Sequence, residues 1–121
     1  MVIEPSSATL AGGKARLTAS ALRRQAAMYL GNYQLKVFPY FFKSETGTLS
    51  IAVADASLRK LATGATVEFS GKAVTNGTGK TRAVRVKATP AGPDVPKGSL
   101  TISITTENGE LVFATAYSLG G

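Results

Sequence analysis

From Thr46 to the end of the chain, apolar and polar residues alternate with a period of two in one segment after another, the pattern of strands with one face buried and the other in water. Leu49, Ile51 and Val53 share one face, and Thr48, Ser50 and Ala52 share the other. The next segment turns Val67, Phe69 and Ala73 inward and Glu68, Ser70 and Lys72 outward, with Gly71 marking a bulge or a close backbone approach. Val84, Val86 and Ala88 then alternate with Arg85 and Lys87, and Leu100, Ile102 and Ile104 with Thr101, Ser103 and Thr105. A last strand runs through Leu111, Val112, Phe113 and Tyr117. Asn76-Gly77 and Asn108-Gly109 supply residues that tolerate positive φ and so predict two tight hairpins.

One stretch breaks the period. Asp55 to Gly64 places Leu58 and Leu61 on one helical face, with Asp55 expected to cap the first amides and Gly64 to take the left-handed position past the end. Ala91 to Lys97, with two prolines and a glycine, is expected as a loop. Near the start, Ala15, Leu17 and Ala19 alternate with Lys14, Arg16 and Thr18 after Gly12-Gly13, predicting an opening hairpin. Residues 20–30 fit either a helix capped by Ser20 and stopped by Gly31, or a strand in which Tyr29, Gly31, Tyr33, Leu35 and Val37 alternate, with a hairpin at Gly31-Asn32 as a variant. The strand is preferred, because the strands on either side need pairing partners.

These elements predict an all-β protein: an antiparallel meander forming a small barrel or barrel-like sandwich of about seven to eight strands, with one short helix near 55–63. Closure is expected because an open sheet edge invites aggregation. A length of 121 residues suits a single domain, with residues 1–6 and 119–121 as loose ends.

Composition narrows the classes. Charged residues are 17% of the chain against 44% hydrophobic, and the longest apolar stretch is interrupted by Lys36, Pro39 and Lys43, short of the roughly 18 residues that span a bilayer as helix. The absence of cysteine excludes disulfides, thiol catalysis and thiolate metal sites. No basic segment followed by an apolar one opens the chain, so a signal peptide is either absent or removed. The composition, rich in Ala, Thr, Ser and Gly, favours removal and a periplasmic or extracellular bacterial protein. Fourteen Lys and Arg against seven Asp and Glu give a net charge of +7, which points toward an anionic partner such as nucleic acid, a membrane surface or an acidic polymer.

Without His, Cys or Trp, the usual nucleophile–base pairs and zinc sites cannot be assembled. Paired carboxylates remain chemically able to act as acid and base, but Glu107 and Glu110 flank a turn and Asp55 is read as a cap. Gly77-Thr78-Gly79-Lys80-Thr81 shares the ending of a phosphate-binding loop, yet Val74 stands where that motif needs its first glycine. Asn76-Gly77-Thr78 matches a glycosylation acceptor, a pattern common by chance. The chain is therefore expected to be non-catalytic, with no cofactor, no metal and no specific nucleic-acid motif.

Two features are candidates for recognition. Lys14, Arg16, Lys36, Lys72, Arg85 and Lys87 all fall on outward positions and are expected to converge on one basic sheet face, although cations alternating with apolar residues also serve simply to solvate a sheet. The segment Val37 to Lys43 crowds Phe38, Tyr40, Phe41 and Phe42 around Pro39; Phe38, Tyr40 and Phe42 point opposite to Val37 and Phe41, either plugging the barrel end or forming a contact patch. The sequence thus reads as an exported binding or accessory module, monomeric or dimeric, that contacts a macromolecular or anionic partner through the basic face and the aromatic segment. The alternatives are a structural or assembly subunit of an envelope or virion, and a barrel that carries a small apolar ligand.

Overall fold

A computed structural model describes residues 1–10, 13–38, 45–77, 79–106 and 109–119. Ten strand segments form one antiparallel sheet: β1 (Val2–Ile3), β2 (Ser6–Leu10), β3 (Gly13–Ala19), β4 (Arg23–Gln25), β5 (Met28–Phe38), β6 (Glu45–Ala52), β7 (Val67–Thr75), β8 (Thr81–Pro90), β9 (Lys97–Thr106) and β10 (Gly109–Ser118). The order β1-β10-β9-β8-β7-β6-β5-β3-β2, with β4 beside β5, is a meander curled into a barrel-like sheet, as the alternation predicts. The curl brings β2 against β10, and one N-terminal stretch serves both edges: Val2 and Ile3 pair with Ser118 and Tyr117, and Ser6 to Leu10 pair with β3. Pro5, which has no amide hydrogen for either ladder, lies where the stretch changes partner.

The first six residues, expected as a loose end, are thus tied down. Met1 and Ile3 are buried, the Met1 carbonyl accepts from Leu22 N–H at 2.7 Å, and Glu4 N–H donates to Ala116 O at 3.0 Å. Burial of the Met1 and Ile3 side chains and the ladder hydrogen bonds to β10 oppose the entropy cost of ordering the stretch. At the other terminus, Leu119 N–H donates to Pro96 O at 2.6 Å.

Inside the curl the inward set follows the predicted parity. Ile51, Val84, Val86, Leu100, Ile102, Ile104 and Phe113 are all but inaccessible to water. Gly71 is a close approach between strands: a Cβ there would overlap the Ser50 carbonyl. The hairpin after β7 turns at Gly77 with φ +86°, and the one after β9 enters β10 at Gly109 with φ +116°; Asn108 lies outside the described residues.

No helix forms over residues 20–30: residues 23–25 and 28–30 are strand, and Gly31 lies inside the long β5 rather than in a turn. The turn comes earlier, at Ala26-Ala27, where Ala26 takes φ +54°. Between β3 and β4 the chain leaves the ladder and Leu22 drops into the core over Gly31, whose missing side chain makes the room. Ser20 N–H donates to Asn32 O at 2.9 Å, and the Ser20 hydroxyl accepts from Asn32 N–H at 2.9 Å, so the break satisfies its own backbone groups.

The helix α1 (Asp55–Ala62) lies against β7 and β8, with Leu61 buried and Leu58 half-buried on its inner face. Gly64 takes φ +91° just past its end, as predicted. The expected cap is corrected: Ala54 is the N-cap residue and no side chain caps the helix. Asp55 lies one position later, in the first turn, where its carboxylate favours the helix dipole and pairs with Arg24. No helix among the described residues is long and apolar enough to cross a membrane.

Candidate functional site

The residues proposed from the sequence divide into two groups on the outer face. Lys14, Arg16 and Lys36 lie together on β3 and β5, where Arg16 is directly opposite Lys36 and Lys14 directly opposite Phe38. Lys72, Arg85 and Lys87 lie on β7 and β8, opposite Ser50, Ser70 and Glu68 respectively. All six cations are exposed. The strand β6 between the groups presents Thr46, Thr48, Ser50 and Ala52 outward and carries no cation. From strand spacing and rise, Lys36 and Lys72 are about 20 Å apart, so the expected single cluster is two clusters joined by a hydroxyl-rich strip.

Phe38 continues the first group and is 40% exposed. Val37 beside it is buried, as the parity argument requires. Tyr40 and Phe42 lie outside the described residues, as does the rest of the aromatic segment.

Four of the carboxylates are directed away from the first group. Asp55 pairs with Arg24, Glu68 faces Lys87, Glu110 is on β10 opposite Thr105, and Glu45 points inward. Strands β2 to β5 contain no Asp or Glu at all. Arg16 accordingly has Ser7 on one side and Lys36 on the other. Like charges directly opposite in an antiparallel pair destabilise it, and no carboxylate among the described residues stands in register with this pair.

A feature that the sequence reading missed extends the same face. Arg23 on β4 is opposite Leu30, which is opposite Ser50, which is opposite Lys72, so two cations stand at the ends of one row across four strands. Where the chain dives inward at Leu22, the outer surface is left with a dent of about 340 Å³ lined by Arg23, Arg24, Gln25, Leu30, Asn32 and Thr48. Parity could not place Arg23, because the break at residues 20–22 resets the alternation.

The second missed feature is internal. Glu45 accepts from Arg82 Nε at 2.8 Å on one carboxylate oxygen and from the Thr75 hydroxyl at 2.9 Å on the other. Tyr33 lies across Gly47 beside this group, and its hydroxyl makes no hydrogen bond among the described residues. Burial pushes the Tyr33 phenol pKa up; Thr75 opposes that, Glu45 adds to it and Arg82 opposes it. Here the alternation did hold the signal, since Glu45 shares parity with Leu49 and Ile51, and Arg82 with Val84 and Val86. With both oxygens of Glu45 engaged by its own chain, the group serves as an internal polar clamp.

Comparison of the chain with family models, with curated proteins and with solved structures found no match, so the face is interpreted from its geometry.

Proposed function

We propose that this protein is a non-catalytic binding module that holds an anionic macromolecule on the outer face of its sheet, centred on Lys14, Arg16, Lys36 and Phe38. The observation that carries this reading is the cross-strand pair Arg16–Lys36, two cations held side by side with no carboxylate on any of the strands β2 to β5. The pair costs stability in the isolated protein, and a polyanion laid across it removes that cost while releasing its own condensed counterions. Lys72, Arg85 and Lys87 form a second contact area on the same side of the sheet, and Arg23 stands at the far end of the row that starts at Lys72. In this reading the module works as a monomer or dimer, and its Ala-, Thr-, Ser- and Gly-rich composition supports a location outside the bacterial cytoplasm.

The direct test is retention on immobilised heparin as a function of salt. Replacing Arg16 and Lys36 together by Gln is expected to lower the salt needed for elution and to reduce the slope of log K against log salt by roughly two. Unchanged retention would remove this face as the binding surface. Sedimentation in solution complements it, since an assembly subunit would form large oligomers where a binding module stays small.

A further inference from the structure

The anionic-polymer reading leaves the chemistry of the polymer open, and the dent beside β4 narrows it. It arises because Leu22 is drawn into the core over Gly31, so that beyond Ser20, which is bonded to the Asn32 backbone, the outer face is open on the β3–β4 side. Around a floor formed by the half-buried Leu30 stand Arg23, Gln25, Asn32 and Thr48. The side chains of these four polar residues make no hydrogen bond within the described residues, so a guanidinium, two carboxamides and a hydroxyl point free donors and acceptors at one small volume. A carboxamide both donates and accepts, which suits the edge of a nucleobase, whereas a sulfate or a carboxylate calls only for donors.

The dent also lies on a continuous track. Strand β5 turns Phe38, Lys36, Gln34, Asn32, Leu30 and Met28 outward in succession. Over those ten residue steps the strand rises about 33 Å. Lys14 and Arg16 flank the first part of this track, Arg23 and Gln25 the last, and Thr46 and Thr48 border it on β6. An exposed ring and cations at one end and an amide-lined dent with its own guanidinium at the other are the parts by which sheets hold single strands: stacking on an aromatic, with charge following the backbone. The length suits site sizes within the range of about 4–16 nucleotides. A barrel's convex outer face with no projecting helix or ribbon does not enter a duplex groove.

We infer that the polyanion is a single-stranded nucleic acid lying along β5, stacked on Phe38, with one base seated in the dent against Asn32 and its phosphate near Arg23. This rests on the anionic-polymer reading above, and the experiment separates the two. Binding of a fluorescein-labelled 12-nucleotide oligo-dT is measured by anisotropy, with the matching duplex and with heparin as competitors. The variants are Phe38→Ala, Asn32→Ala and Thr48→Val, each checked for an unchanged circular dichroism spectrum and melting temperature. The single strand is expected to bind more tightly than the duplex. Phe38→Ala is expected to weaken it about tenfold, and Asn32→Ala and Thr48→Val to weaken it several-fold while leaving heparin binding unchanged. If heparin binds but the single strand does not, or if the duplex binds as well, or if the two dent variants bind the oligonucleotide like the parent, the nucleic-acid inference falls and the polyanion reading stands. If neither polymer binds, both fall.

Discussion

Glu45 and Arg82 meet across an intervening strand: one is on β6 and the other on β8, and they close to 2.8 Å over Thr75 of β7, which holds the second carboxylate oxygen. Three adjacent strands are thereby tied on their concave side at the barrel end opposite α1. The curl of the sheet brings the two side chains together, since next-but-one strands in a flat sheet are about 9.6 Å apart.

Removing one member of this pair leaves the other with little water to turn to. The side chains of Arg82 and Glu45 are 17% and 9% exposed. Glu45→Leu is therefore expected to destabilise the fold by about 3 kcal/mol in urea denaturation, and Arg82→Met by a similar amount. The double variant is expected to recover most of the loss, since two apolar side chains leave no uncompensated charge. Additive losses would show that the contact has no role as a pair.

Arg16 and Lys36 yield a prediction in which stability and binding move in opposite directions. Lys36→Glu turns a like-charge cross-strand pair into an attractive one and is expected to stabilise the protein by about 0.5 kcal/mol. The same change is expected to weaken retention on heparin. A thermal melt and a salt-elution profile on the one variant check both, and a variant that gains stability without losing retention would separate the strain from the binding site.

Alkaline pH is expected to unfold the protein through its buried phenols. Burial raises the pKa of Tyr33 and of Tyr117 above the ordinary value of 10.0. Above that pH the unfolded chain releases these protons before the folded one does, so stability falls as pH rises from about 10 toward the folded values. Tyr33→Phe is expected to make the decline shallower, with little cost near neutrality because its hydroxyl makes no hydrogen bond among the described residues. Denaturation midpoints measured between pH 8 and pH 11 give the slopes; equal slopes would exclude Tyr33 as a contributor.

The glycine of β7 supplies a steric test. Gly71→Ala places a methyl group against the Ser50 carbonyl, a backbone atom that cannot rotate away. A loss of about 1–3 kcal/mol is expected in chemical denaturation. Gly77→Ala, in a turn with open space around it, is expected to lose only the cost of its positive φ, about 1 kcal/mol. Similar losses at the two sites would mean that β7 and β6 are farther apart than described.

How much of this was legible in the sequence depended on whether parity ran unbroken. From Leu49 to Phe113 the alternation sorted the strands into inner and outer faces, because each strand has one wet side and its register is fixed by tight turns. Where the ladder breaks at Ser20 to Leu22, the same rule lost its phase, and with it Arg23 and the dent. The turn at Ala26-Ala27 carried no glycine or asparagine to announce it, and its left-handed alanine is maintained by what surrounds it: Ala27 O accepts from Val53 N–H at 2.7 Å. Asp55 missed its expected role by one residue, a shift that propensity arguments do not resolve. Glu45 and Arg82 share parity with the inward residues of their strands, but that they meet depends on register, which a single strand's alternation does not contain. The division of the cations into two groups depends on strand order and register, which alternation within a strand does not contain.

The N-terminal stretch that serves both edges has a consequence for how the molecule comes into being. The Thr115 hydroxyl donates to Glu4 O across 111 residues of chain, so the seam joins strands that are made long apart. A nascent chain can lay down its hairpins one by one, each from local contacts, but it cannot seal until β10 has emerged. Until then the waiting strand and the unfinished edge are each complementary to their counterparts on a neighbouring molecule. Dilution during refolding, rather than a change of temperature, is the natural remedy for exchange between copies at that stage.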